Sequence, residues 1–130
     1  MLYLLDAGGA SLYYFFFALF VAFVLFAILA EAGVMILMKY NIKFKKAFLD
    51  SFLANLATFT LGFVLIEFVS DFFNSTELFN LFVLYIMSVL MEWGVLFLLN
   101  RAKPAKQSFV VAVVMNLPTY AFLVLIGMGR

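Results

Sequence analysis

Two glutamates lie inside long apolar runs of this 130-residue chain, Glu31 in AILAEAGVMIL and Glu92 in VLMEWGVLFLL. Each is followed 24 residues later by an asparagine, Asn55 and Asn116, and three residues further on by a threonine, Thr58 and Thr119. A carboxylate among apolar side chains has two competing states. Leaving it ionised at membrane depth costs about 2.5–3.5 kcal/mol on insertion scales. Protonating an ordinary glutamate at pH 7 costs about 3.7 kcal/mol. The two states are close in free energy, so a small change in hydration can exchange them. The chemistry this permits is uptake and release of a proton, or exchange of a proton for a small cation. The amide and hydroxyl groups would orient the carboxylates.

Composition dictates the elements that must hold these residues. Hydrophobic residues make up 68% and charged residues 12%, with a mean hydropathy of +1.21, whereas soluble domains are about half apolar and a quarter charged. A soluble fold of this size would expose a large surface, and too few polar residues exist to cover it. The expected class is an all-α integral membrane protein, a single transmembrane domain over residues 1–130. A membrane-crossing helix needs about 20 mainly apolar residues, and four stretches qualify: 12–38, 47–70, 78–100 and 108–128. Helices satisfy their own backbone groups in lipid, and the alternating strands of a barrel are missing. The connections 39–46, 71–77 and 101–107 are short, so neighbouring helices run antiparallel in an up-down-up-down bundle.

Charge orients this bundle. Lys39, Lys43, Lys45 and Lys46 fill the first connection and Arg101, Lys103 and Lys106 the third, whereas Asp6, Glu67, Asp71 and Glu77 gather at the other end. The positive-inside rule places loops 39–46 and 101–107 in the cytoplasm and both termini outside. The first residues, Met1 to Asp6, carry no basic cluster of the signal-peptide kind, so the first apolar segment is expected to stay in the membrane. The triplet Asn74-Ser75-Thr76 has the form of a glycosylation sequon and is read as chance.

A shift of 61 residues aligns the two halves without a gap: Glu31 on Glu92, Gly33 on Gly94, Lys45 on Lys106, Asn55 on Asn116 and Thr58 on Thr119. Apolar matches are cheap in such a chain; Glu, Gly, Asn and Thr in order are not. The expected organisation is two tandem, parallel-repeat helical hairpins, units of about 18–66 and 79–127, related by an axis along the membrane normal. Glu31 and Asn55 stand equally far from their loop, as do Glu92 and Asn116, which puts all four side chains at one level roughly 12 Å inside the cytoplasmic helix ends. Ser51, Asn55, Thr58 and Gly62 form one helical stripe, repeated as Ala112, Asn116 and Thr119, and Ser88 lies one turn from Glu92. These small and polar stripes are expected to face one another.

The candidate ion- or proton-binding set is therefore Glu31, Glu92, Asn55, Asn116, Thr58 and Thr119, and no catalytic residue, metal or cofactor is expected. The competing reading makes the Glu–Asn pairs a clamp between hairpins in a non-catalytic accessory subunit. Enzyme chemistry lacks parts: the chain has no His and no Cys, no phosphate-binding glycine motif and no second core Asp to pair with Asp50. Lipid-modifying chemistry at the cytoplasmic headgroups would need only Glu, Asn and the loop lysines, but nothing specifies it. A net charge of +1 excludes the basic surface of a nucleic-acid binder. The partners expected are the lipid bilayer and either further copies of the chain or a larger membrane complex. Asp50 is expected to pair with Lys46 four residues before it, Tyr13, Tyr14 and Tyr40 to anchor at the interface, and Trp93 to pack. Pro118, where the first unit has Ala57, is an ordinary transmembrane proline with the capacity to free a carbonyl near Asn116. Rotor proteolipids of ion-driven ATPases place their carboxylate on the second helix of each hairpin, unlike Glu31 and Glu92, and no family resemblance is carried by these residues.

Overall fold

The computed structural model describes residues 2–69 and 77–128, with side chains described over 9, 11–64 and 79–127. Its four helices are α1 (Leu2–Leu37), α2 (Phe44–Val69), α3 (Glu77–Leu99) and α4 (Ala105–Met128). Each contains a segment long and apolar enough to cross a bilayer: Ser11–Leu37, Phe44–Val64, Phe79–Leu99 and Ala105–Gly127. The side chains of Asp6, Glu67, Asp71 and Glu77, together with Arg130 and the 74–76 sequon, lie outside the described residues.

Three helices start earlier than hydropathy alone suggests. α1 begins at Leu2 rather than near residue 12, because Leu and Ala favour helix there and the glycines present adopt no left-handed conformation that would stop it. Helices α2 and α4 each gain a first turn containing lysine, from Phe44 and from Ala105. A lysine stem can lie along an apolar helix while its ammonium reaches water, so charge at a helix start does not end it. The carbonyls of Lys43 and Pro104 accept the first bonds of these helices, from Lys46 and Ala47 and from Gln107 and Ser108. Phe44 and Ala105 are themselves 61 residues apart.

The helices form a ring. α1 packs on α2 and α4, and α3 packs on α2 and α4; among the described residues the diagonal pairs do not meet. Small and medium side chains fill the interior, including Ala32, Met35, Ala47, Ala54, Leu96, Ala112 and Met115. Large apolar side chains face outward on every helix, from Phe15 and Phe20 to Phe63, Phe82 and Leu125. Gly62 does not mark a close helix crossing, since a Cβ there would meet nothing within 4 Å.

The end of α1 corrects one expectation. Lys39 has φ of 54°, the left-handed region. Its amide bonds the Ile36 carbonyl at 3.0 Å, and the Tyr40 amide reaches back to Met35 at 2.8 Å. These are the two bonds of a Schellman cap, whose hydrophobic contact joins the residue after the left-handed one to the helix. Here that residue is Tyr40, only 1% exposed beside the buried Met35, so it is a core side chain and not an interfacial anchor. Tyr13 and Tyr14, by contrast, face outward at 72% and 70% exposure. A lysine in the left-handed region is strained by about 1 kcal/mol relative to glycine. Lys39→Gly is therefore expected to raise the unfolding free energy by about 1 kcal/mol in denaturant titration of the detergent-solubilised protein; a decrease would mean that the Lys39 side chain contributes more than the strain costs.

Candidate functional site

Glu31 on α1 and Glu92 on α3 are each 1% exposed, on diagonally opposite helices that both point inward. The carboxylates are close enough for their charges to interact. Asn55 donates from its Nδ2 to Glu31 Oε2, and Asn116 donates from its Nδ2 to Glu92 Oε2 at 2.5 Å. Both asparagines also bond the carbonyl one turn back, Asn55 to Ser51 at 3.0 Å and Asn116 to Ala112 at 2.9 Å. That second bond fixes the amide along its helix and aims its remaining donor at the carboxylate. Ser51 adds a hydroxyl to Glu31 Oε2 at 2.7 Å; its counterpart Ala112 adds none. Glu31 and Asn55 thus stand at one level, as do Glu92 and Asn116.

One bond of the layer crosses between hairpins. Thr58 Oγ1 on α2 donates to Glu92 Oε1 on α3 at 3.4 Å. Thr119 on α4, the matching position, is buried with no hydrogen-bond partner for its Oγ1. One turn from Glu92, Ser88 does not join the layer but shares a 2.7 Å hydrogen bond with the Tyr120 hydroxyl. The Tyr120 phenol lies within electrostatic reach of both glutamates. Its ring meets Tyr85 edge-on at 5.2 Å, and the Tyr85 hydroxyl donates to the Val113 carbonyl at 2.8 Å, in the turn before Pro118. α4 runs unbroken through Pro118.

A second polar cluster joins the hairpins at the end of the bundle that carries loops 39–46 and 101–107. Asp50, 1% exposed, accepts on Oδ2 from Asn41 at 2.5 Å and from Asn100 at 2.9 Å, and pairs through Oδ1 with Lys46 at 2.5 Å. Lys103 donates to Asn41 Oδ1 at 3.0 Å and places its ammonium 3.9 Å from the centre of the Tyr40 ring. The Tyr40 hydroxyl shares a hydrogen bond with Ser108 at 2.8 Å and donates to the Leu96 carbonyl at 3.4 Å. Burial pushes the Tyr40 phenol above its usual range, with the Ser108 bond opposing and the Asp50 charge adding. Desolvation draws the Lys103 ammonium below its usual value, opposed by Asp50 and aided by Lys46. This hub joins the first loop and α2 to the end of α3, the third loop and the start of α4. The expected Lys46–Asp50 pair is present, but reading it alone missed the hub. The available signal was Asn41 and Asn100, amides beside the same loops as an aspartate that needs donors.

Trp93 packs, as expected: its indole N–H bonds the Ala105 carbonyl at 3.1 Å and its ring meets Phe109 edge-on at 5.5 Å. Among the described residues, no group of three His, Cys, Asp or Glu side chains is placed to hold a metal ion. No protein-family model, no curated protein and no solved structure matches this chain, so its site is read from its own geometry.

Proposed function

We propose that the chain is a multi-pass membrane protein of two tandem helical hairpins whose Glu31–Glu92 layer binds and passes a proton or small cation. One observation carries this reading. The Glu–Asn bonds run within each hairpin, 31 to 55 and 92 to 116, and the layer's described bond between hairpins is the long Thr58–Glu92 contact, whereas the Asp50–Tyr40 hub joins them through several shorter bonds. Two carboxylates buried at membrane depth are a cost that calls for a function. Asn55, Asn116, Thr58 and Thr119 orient them, and Ser88 with Tyr120 extends the polar groups beyond the layer. The layer is an exchange site and not a catalytic centre. In this reading loops 39–46 and 101–107 face the cytoplasm, as their lysines and arginine require.

Four helices around such a layer enclose little water, so a continuous path calls for a homo-oligomer. Residues 11–22 of α1 are exposed on every face and offer a surface for it. The same surface favours a second reading, an accessory subunit seated on a larger membrane protein. Isolation in mild detergent separates the two: copies of this chain alone support the first, a stoichiometric larger partner the second. The function itself is tested by reconstituting the purified chain into vesicles and following internal pH after an external pH step. Equilibration faster than in empty vesicles is the expected result, and an unchanged rate would overturn it.

A further inference from the structure

We propose that Glu31, Glu92, Thr58 and Thr119 together hold one small monovalent cation of the sodium class, taken up in place of a single proton. This rests on the exchange reading above and names its second substrate.

The first observation is Thr119. Its hydroxyl is unpartnered although the residue is only 8% exposed, a state that costs roughly 1–3 kcal/mol for a buried polar group. A helical threonine has a ready escape, donation to the carbonyl four residues back, and Thr60 uses it with Leu56 at 2.7 Å. Thr119 does not. It stands one turn from Asn116, whose amide bonds Glu92, on the inward stripe of α4.

The second observation is the relation of Thr119 to Thr58. Thr58 reaches from α2 across to Glu92 on α3, at a long 3.4 Å. α4 packs on α1 as α2 packs on α3, and the 61-residue shift sets Thr119 on Thr58 and Glu31 on Glu92, so the bond corresponding to Thr58–Glu92 would run from Thr119 to Glu31. That bond is not made. A hydroxyl–carboxylate pair that is long on one side and unmade on the other leaves both hydroxyl oxygens able to serve a shared third partner.

The donor set says which partner. It offers only carboxylate and hydroxyl oxygens, which are hard ligands, and the chain has no His or Cys to favour a softer metal. Calcium takes about six to eight oxygens and magnesium a near-ideal octahedron with several waters. Here Oε2 of each glutamate is already engaged by an amide, and no third acidic side chain stands in the layer among the described residues. A divalent ion is under-supplied, and its second positive charge would not be matched by the loss of a single proton. The charges balance as well. A doubly protonated pair is neutral; losing one proton and gaining one monovalent cation leaves one neutral carboxyl, one carboxylate and one cation, again neutral. The exchange therefore moves no net charge into the apolar layer.

The test uses the full chain in detergent, with thermal unfolding followed as Na⁺ replaces choline at constant ionic strength. The midpoint is expected to rise saturably with Na⁺ and not with K⁺, and the apparent Na⁺ affinity to weaken by about tenfold per pH unit on the acidic side, where one proton competes. Thr119→Val, equal in shape but without the oxygen, is expected to weaken Na⁺ affinity roughly 10-fold, and Thr119→Ser to restore most of it. Thr58→Val provides the same test from the other hairpin. Wild-type affinity in both valine variants would overturn the proposal. So would the absence of Na⁺-specific stabilisation in a chain that still passes protons in vesicles, a result that leaves the exchange reading standing as one for protons alone. Loss of both signals sinks both.

Discussion

Replacing Asp50 with alanine is expected to lower the unfolding free energy by about 3 kcal/mol. The loss comes from what the change leaves behind. Asn41 and Asn100 each lose the acceptor of a buried amide donor, at roughly 1–3 kcal/mol apiece. Lys46 contributes little to the loss, because its side chain is 42% exposed and water can replace the carboxylate. The damage falls between hairpins, since Asn100 lies at the end of α3 and Asp50 near the start of α2. Lys103, held through Asn41 over the Tyr40 ring, loses its anchor in turn. Asp50→Asn keeps one acceptor oxygen and is expected to lose about half as much. Denaturant titration in detergent measures both; a loss below about 1 kcal/mol for the alanine variant would show that the hub does not join the hairpins.

The second large effect is functional. Changing Glu31 and Glu92 together to Gln is expected to bring proton or cation flux in vesicles down to the level of empty ones. Gln keeps the shape and a carbonyl oxygen for the Asn55 and Asn116 amides, and it removes a charge from a buried position. Stability should therefore stay within about 1 kcal/mol of the original chain. The combination separates the two readings of the layer. If the glutamates only braced the helices, the double variant would leave flux unchanged. Flux without either glutamate would place the pathway outside this layer altogether. The Asp50 variant supplies the reverse control, a weakened fold with the carboxylate pair intact.

Much of this arrangement is legible in the sequence because membrane helices obey few rules. Length and apolarity located all four helices, and the errors fell at their starts, where snorkelling lysines and a glycine-tolerant N-terminus carried helix beyond the hydropathy boundary. The polar layer was legible because a glutamate in an apolar run must find donors, and the equal spacing to Asn55 and Asn116 named them. The hub at the loop end was less visible. Its members are drawn together by turns, and the left-handed conformation at Lys39, a residue that rarely adopts it, is what sends Tyr40 inward. No periodicity encodes that. Tyr120 was missed for a related reason: a tyrosine in an aromatic-rich helix reads as filling until its hydroxyl is seen on Ser88.

Whether Glu31 and Glu92 exchange protons is read most directly by infrared difference spectroscopy of the carboxyl stretch in the reconstituted chain as the pH is stepped. The expected result is a buried carboxyl band that appears and disappears reversibly with pH, weakens in Glu31→Gln or Glu92→Gln, and vanishes in the double variant. A spectrum in which both glutamates keep one protonation state across every pH at which the protein stays folded would contradict it.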